Sequence, residues 1–140
     1  MKVGDIVKDK QILTITPDKT VHDAIKVLCE KNIGALPVCE KDQLVGIITE
    51  RDVLRLCSGD DCMPKLRQKI ADVMTRNLVI CVPDDSVENA MHVMTDKRIR
   101  HLPILDGNKL IGILSIGDVV KAKLDDASSE IRFLRDYVTQ

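Results

Sequence analysis

Residues 35–52 read ALPVCEKDQLVGIITERD, and residues 101–118 read HLPILDGNKLIGILSIGD. These stretches belong to a longer match, because a shift of 66 residues aligns residues 17–56 with residues 83–122 without a gap. The alignment contains 14 identities over 40 positions. Unrelated sequences of ordinary composition would match at roughly one position in fifteen. The sequence therefore predicts a tandem duplication.

Each unit shows the same order of elements. A shift of 67 extends the match by pairing residues 3–7 with residues 70–74. An apolar run closed by proline precedes a helical stretch that Thr20 or Ser86 caps, and two hairpin strands and a second helix follow. The predicted first strands are residues 12–16 and 78–82, and the predicted second helices lie near residues 50–56 and 116–124.

The fold predicted from this pattern is mixed α/β (α+β), with two pseudo-symmetric β-α-β-β-α repeats and a C-terminal helix. Units of about 60 residues bury too little surface to be more than marginally stable alone, so we expect them to pack as a pair. That packing creates a cleft with two related pockets. The predicted boundaries are repeat 1 at residues 1–58, a linker at 59–69, repeat 2 at 70–125 and the C-terminal helix at 126–140.

The composition argues against several classes of protein. The 140 residues include one Phe, one Tyr and no Trp, and the net charge is −1. A protein that stacks nucleic-acid bases needs aromatic rings, and a nucleic-acid-binding protein commonly has a large positive net charge. This chain has neither feature. The longest unbroken apolar run, residues 78–82, is too short to cross a membrane. Five Cys without a CxxC spacing indicate the reducing cytoplasm.

One motif recurs at the end of each hairpin. Gly46 is followed by Thr49 and Asp52, and the second unit repeats this as Gly-x-x-Ser-x-x-Asp over residues 112–118. The residue chemistry by itself favours a helix capping box. The alternative is that the aspartate turns both oxygens towards two vicinal hydroxyls of a ribose, since a carboxylate accepts from two donors.

The repeated Leu-Pro-Val/Ile strand and the Gly-x-x-Thr/Ser-x-x-Asp ending resemble the cystathionine-β-synthase (CBS) domain. The resemblance covers roughly residues 1–124. Residues 94–103, MTDKRIRHLP, and residues 115–121, SIGDVVK, are similar to the group of stand-alone proteins made of one CBS pair. The resemblance implies a non-catalytic sensor that needs no cofactor and binds AMP, ATP or NAD as a regulatory ligand.

The resemblance also implies which residues bind. In the first pocket the Ser and Asp hold the ribose, apolar residues flank the adenine and basic residues take the phosphates. The implied set is Ser115, Asp118, Ile33, Gly34, Thr14, Arg100 and His101. The weaker mirror pocket has Thr49, Asp52, Ile80 and Ile99.

The repeats differ beside these pockets. Arg100 and His101 follow the helix of the second unit, where the first unit has the uncharged Gly34 and Ala35. Arginine suits phosphate because its guanidinium is planar and donates two hydrogen bonds at once. We therefore expect the Asp118 pocket to bind phosphorylated adenosine more tightly than the Asp52 pocket does. A phosphate-directed Arg100 also argues against S-adenosylmethionine as the ligand.

Two features lie outside the repeat pattern. Residues 126–138 form a predicted amphipathic helix that contains both aromatic residues and that we expect to join two copies in a homodimer. Cys57 and Cys62 bracket the linker, where either a metal site or a disulfide is conceivable, while the three other Cys are expected in the core.

A second function fits the same residues. The chain could be a ligand-independent or redox-linked adaptor with a thioredoxin-type partner, because some plant proteins with one CBS pair are thought to regulate thioredoxin. An enzyme acting on nucleotides is not supported, since the sequence shows neither a positioned nucleophile nor a metal site. The regulated protein is not specified by the sequence.

Overall fold

A computed structural model of the chain describes the backbone of residues 1–139 and the side chains of residues 1–127. Each unit places one antiparallel hairpin against helices, as the duplication predicts. The elements are α1 (Val3–Val7), α2 (Val21–Lys31), β1 (Ala35–Glu40), β2 (Gln43–Thr49), α3 (Glu50–Leu56), α4 (Cys62–Lys65), α5 (Ile70–Val73), α6 (Val87–Lys97), β3 (His101–Asp106), β4 (Lys109–Ser115) and α7 (Ile116–Thr139).

The two hairpins have the same register. Leu36 of β1 lies opposite Ile48 of β2, and Leu102 lies opposite Leu114 at the equivalent place in the β3–β4 pair. Both pairs also shift register at the same point, after the fourth residue of the first strand. The mixed α/β fold with two matching units is therefore confirmed.

The predicted first strands are shorter than expected. Ile15 pairs in parallel with Val38 through one isolated bridge, with hydrogen bonds of 3.1 Å to the Pro37 carbonyl and 2.9 Å from the Cys39 N–H. The next bonds of a parallel ladder would need N–H groups at Pro17 and Pro37, which proline lacks. Prolines stand at the equivalent places of the second unit, where Cys81 alone bridges to Ile104.

The two units exchange their short helices. Val3 and Val7 of α1 lie in the core of the second unit, beside Leu102 and Leu114. Ile70 of α5 and the adjoining Met74 lie in the core of the first unit. The chain therefore crosses between the two cores twice, through a first crossover at residues 8–12 and a second crossover at residues 75–79.

The C-terminal region differs from the predicted division. One continuous helix, α7, replaces the two helices expected on either side of residue 125. Neither glycine nor proline occurs after Gly117, and serine interrupts a helix only weakly. The expected dimer contact of Ile131, Phe133, Leu134, Tyr137 and Val138 lies outside the described side chains, so the homodimer stays a prediction.

Two of the five Cys form a disulfide. Cys57, which directly follows α3, is bonded to Cys62 at the start of α4, and their Cα atoms lie 4.6 Å apart. Cys81 is buried and Cys39 is partly buried, as expected for apolar positions. The core position expected for Cys29 is wrong, because α2 turns its preceding residue, Leu28, to the core and leaves Cys29 exposed.

Candidate functional site

The repeated Gly-x-x-Thr/Ser-x-x-Asp motif forms a cap with one oxygen of its aspartate. Asp118 Oδ2 accepts a 2.9 Å hydrogen bond from the Ser115 backbone N–H, and Ser115 Oγ accepts from the Asp118 N–H at 3.1 Å. Asp52 and Thr49 form the same capping box at the start of α3. In both units Oδ2 serves the helix cap, so Oδ1 is the oxygen that the cap does not use, and the expectation that both oxygens face a ligand stays a prediction.

A cavity of about 450 Å³ lies between the two units beside Asp118. Residues from both units line it, and six of the seven residues predicted for the first pocket are among them. They are Ser115, Asp118, Ile33, Gly34, Arg100 and His101. The structure therefore brings the predicted ribose, base and phosphate groups into one space.

Thr14 does not line this cavity. It lies in the extended segment that follows the first crossover, where successive side chains point to opposite sides. Leu13 and Ile15 turn towards the core of the first unit, which leaves Thr14 exposed to solvent. Ala35, which was expected beside the mirror pocket, lines this cavity instead.

The apolar wall of the cavity is aliphatic. Ile12 and Leu13 come from the segment after α1, Ile33 follows α2, Ile113 lies in β4, and Ile116 begins α7. Among the side chains of residues 1–127, none that lines the cavity is aromatic. A flat ring in this space would therefore be held between branched aliphatic side chains.

Two cationic and two anionic side chains line the same cavity. Lys10 forms an ion pair with Asp118 Oδ1, and Arg100 and Glu50 supply one further charge of each sign. Burial opposes ionisation of Asp118, but hydrogen bonds from Lys10 and Ser115 outweigh it and lower the pKa of this carboxyl below 3.8. Asp118 is therefore charged at neutral pH.

The surroundings of His101 favour its neutral form. Its partial burial lowers the pKa of the imidazole below 6.5, although the nearby carboxylates of Glu50 and Asp118 act in the opposite direction. Gly34 allows this crowding, because a Cβ there would lie 2.3 Å from Glu50 Oε1 and 3.2 Å from the His101 ring. His101 can thus offer a ligand a neutral N–H donor.

The mirror residues are not gathered in the same way. Thr75 Oγ1 donates a 3.2 Å hydrogen bond to Asp52 Oδ1, so the second crossover covers the oxygen that would face a ligand. Thr75 also exchanges backbone hydrogen bonds of 3.0 and 2.9 Å with Ile47 of β2. Ile80 is 44% exposed, and neither of the two cavities described among residues 1–127 is lined by Ile80, Asp52 or Thr49.

Ile99 lines a second, smaller cavity of about 240 Å³. Arg51, Arg98 and Arg100 surround it, and Arg51 Nη1 is fixed by a 2.9 Å hydrogen bond to the Arg98 carbonyl. Arg100 and Ile116 line both cavities, so the two spaces adjoin.

Sequence reasoning missed Lys10 and Glu50. With the shift of 66, Lys10 aligns with Arg76, so a cation follows the short helix in both units, and this repetition was an available signal. Glu50 aligns with Ile116, and an acidic residue in the first turn of a helix would ordinarily indicate only favourable interaction with the helix dipole. Their place in the cavity depends on how the units pack.

Two negative findings bear on other kinds of site. Among the residues that the structure describes, no group of His, Cys, Asp and Glu could hold a metal ion. No helix within the described part of the chain is both long enough and apolar enough to cross a membrane.

Comparison with known proteins gives consistent matches along the chain. Residues 3–59 and 70–125 each match the family model of the CBS domain. The mitochondrial CBS domain-containing protein CBSX3 of Arabidopsis thaliana is 39% identical in an alignment 147 positions long, which covers 97% of this chain and 71% of that protein.

Solved structures agree with this match. In the crystal structure of CBSX2 in complex with AMP, the sequence is 30% identical and the TM-score is 0.77. The match covers 89% of this chain and 97% of the CBSX2 chain. The CBS domain pair of protein MJ0100, in complex with 5'-methylthioadenosine and S-adenosyl-L-methionine, is 26% identical with a TM-score of 0.80, and covers 90% and 98%. The chain therefore belongs to the CBS domain family and carries a tandem pair of these domains.

Proposed function

We propose that this CBS pair is a non-catalytic regulatory module that binds an adenosine-containing ligand in the 450 Å³ cavity between its units. The observation that carries the proposal is the ionised Asp118, whose Oδ1 is not used by the helix cap and which lines a largely aliphatic cavity together with Arg100. The volume suits one nucleotide-sized ligand, since small-molecule sites commonly span about 300–1,000 Å³.

The proposed roles follow the chemistry of the lining groups. Asp118 Oδ1 accepts from a ribose hydroxyl, with Ser115 beside it, and the aliphatic wall around Ile33 and Gly34 holds the adenine. Arg100 binds phosphate as a cation, and His101 donates a neutral N–H. The bound ligands named for CBSX2 and MJ0100 share the adenosine that these groups would recognise.

The Asp52 site is the weaker of the two in this proposal. Thr75 already hydrogen bonds to Asp52 Oδ1, and Ile80 lies apart from the other predicted residues. A ligand that binds Asp52 Oδ1 would compete with the Thr75 hydroxyl, which two backbone hydrogen bonds between Thr75 and Ile47 hold beside it. One ligand per chain is therefore expected.

Signalling follows from the position of the cavity between the units. A ligand that contacts Ile33 of one unit and Asp118 of the other changes the preferred arrangement of the two. The change cannot exceed the difference in the ligand's affinity for the two arrangements. We propose that a homodimer transmits this change to a separate regulated protein in the cytoplasm.

Calorimetry with AMP, ATP, NAD and S-adenosylmethionine tests the proposal. We expect saturable binding of the phosphorylated compounds at one site per chain, and weaker binding of the sulfonium compound, because Arg100 and Lys10 repel its positive charge. Native mass spectrometry of freshly purified protein should detect a copurified adenosine compound. Absence of binding by all four compounds would contradict the proposal.

The Cys57–Cys62 disulfide favours the redox-linked adaptor as a second candidate. The bond joins the end of α3 to the linker, so reduction would free the linker from the helix that carries Asp52. A chain that binds no adenosine compound, and that captures a thioredoxin-type protein only in one redox state, would support this alternative.

A further inference from the structure

Lys10 occupies the one oxygen of Asp118 that the helix cap leaves free. Its ammonium forms an ion pair with Oδ1, while Oδ2 accepts from the Ser115 N–H. The lysine side chain is 44% exposed, whereas the aspartate side chain is only 17% exposed. A ribose hydroxyl that binds Oδ1 must therefore compete with a cation that reaches in from the edge of the cavity.

The equivalent place in the first unit has a neutral donor. Asp52 Oδ1 accepts from the Thr75 hydroxyl, and the second crossover is attached to β2 by backbone hydrogen bonds. Arg76, the counterpart of Lys10, turns back and donates a 2.8 Å hydrogen bond to the Ala71 carbonyl. The two units thus differ in the side chain that contacts the aspartate Oδ1, which is Lys10 in one and Thr75 in the other.

The first crossover is held less firmly than the second. In the described part of the chain, residues 8–12 make no backbone hydrogen bond to β4 that would correspond to the Thr75–Ile47 pair. Lys10 provides the side-chain ion pair between this crossover and the start of α7. Its four-carbon stem and three N–H donors allow the ammonium to turn to another acceptor without a change of fold.

We infer that Lys10 is a specificity-determining residue that selects adenosine ligands bearing phosphate, an inference that rests on the proposed function. When ribose takes Asp118 Oδ1, the ammonium loses its ion-pair partner inside a partly buried cavity. A phosphate that enters with the same ligand replaces that partner. Lys10 therefore opposes the binding of a ribose that carries no anion and favours the binding of a ribose that carries a phosphate.

The inference predicts opposite responses to ligands of different charge. Neutral adenosine must displace the ammonium and offers it no anion in return. The sulfonium of S-adenosylmethionine would add a positive charge near Lys10 and Arg100. AMP supplies the missing anion, so the ratio of AMP affinity to adenosine affinity measures the action of Lys10.

Isothermal titration of AMP and of adenosine onto the full chain tests this inference with Lys10→Met and Lys10→Arg. Lys10→Met should lower the ratio of AMP affinity to adenosine affinity at least about tenfold, the scale of one hydrogen bond to a charged group. The same change should leave adenosine affinity equal or raise it, because the competitor for Asp118 is gone. Lys10→Arg should restore the preference for AMP.

Lys8→Met is the matched control, since Lys8 lies in the same crossover, is exposed and does not line the cavity. It should leave both affinities unchanged, and thermal melts of all variants should agree. If Lys10→Met binds both ligands and its ratio of AMP affinity to adenosine affinity is unchanged, the role of Lys10 is overturned and the proposed function stands. If neither ligand binds the unmodified protein, the proposed function and this inference both fail.

Discussion

Asp118→Asn should weaken AMP binding by about 10- to 150-fold while leaving the fold intact. The asparagine oxygen can still accept from the Ser115 N–H, as Asp118 Oδ2 does at 2.9 Å, so the cap on α7 survives. The amide NH₂ then replaces the acceptor that faces the cavity. A hydrogen bond to a charged group contributes about 1.5–3 kcal/mol, which corresponds to the stated loss of affinity.

Asp52→Asn is the matched control for this change. It alters the same position of the other repeat, where Thr75 already engages Oδ1. AMP affinity measured by calorimetry should therefore stay within about twofold of the unmodified protein. Equal loss of affinity in the two variants would mean that both aspartates bind ligand, and unchanged affinity in Asp118→Asn would remove Asp118 from the site.

Ile70→Ala should lower the free energy of unfolding by about 2–5 kcal/mol, the range for truncating a buried isoleucine. The side chain of Ile70 is fully buried in the core of the first unit, although it follows the linker in sequence. This loss is a large part of the 5–15 kcal/mol that stabilises a typical domain. Urea unfolding followed by circular dichroism measures it.

Ile80→Ala offers the same chemical change at an exposed position. Ile80 is 44% exposed, so the cost should be within about 1 kcal/mol. Because each unit supplies a helix to the other core, both variants should unfold in one cooperative transition. Two separate transitions, or a cost for Ile70→Ala as small as that for Ile80→Ala, would contradict the helix exchange.

The duplication made much of the fold predictable. Once residues 35–52 aligned with residues 101–118, the two hairpins and their flanking helices followed from local pattern. The short first strands were overpredicted, because the consequence of Pro17 and Pro37 for a parallel ladder appears only when the pairing partner is known. The equivalence of residues 3–7 and 70–74 was visible, but the core that each helix joins is a tertiary property.

The site was predictable where the repeat motif itself carries the chemistry. Asp118 and Ser115 follow from the motif, and Ile33 and Arg100 follow from the family resemblance. Lys10 did not, because its approach to Asp118 depends on the path of the first crossover between two cores. The contact between Thr75 and Asp52 was not predictable for a related reason, since the position of Thr75 results from its pairing with Ile47.

A crystal structure of the full chain with AMP tests the central claim most directly. We expect one nucleotide per chain in the 450 Å³ cavity, with a ribose hydroxyl within hydrogen-bond distance of Asp118 Oδ1 and the adenine against Ile33. Lys10 should have left Asp118 for the phosphate. A nucleotide bound only beside Asp52, or outside the space between the two units, would contradict the account.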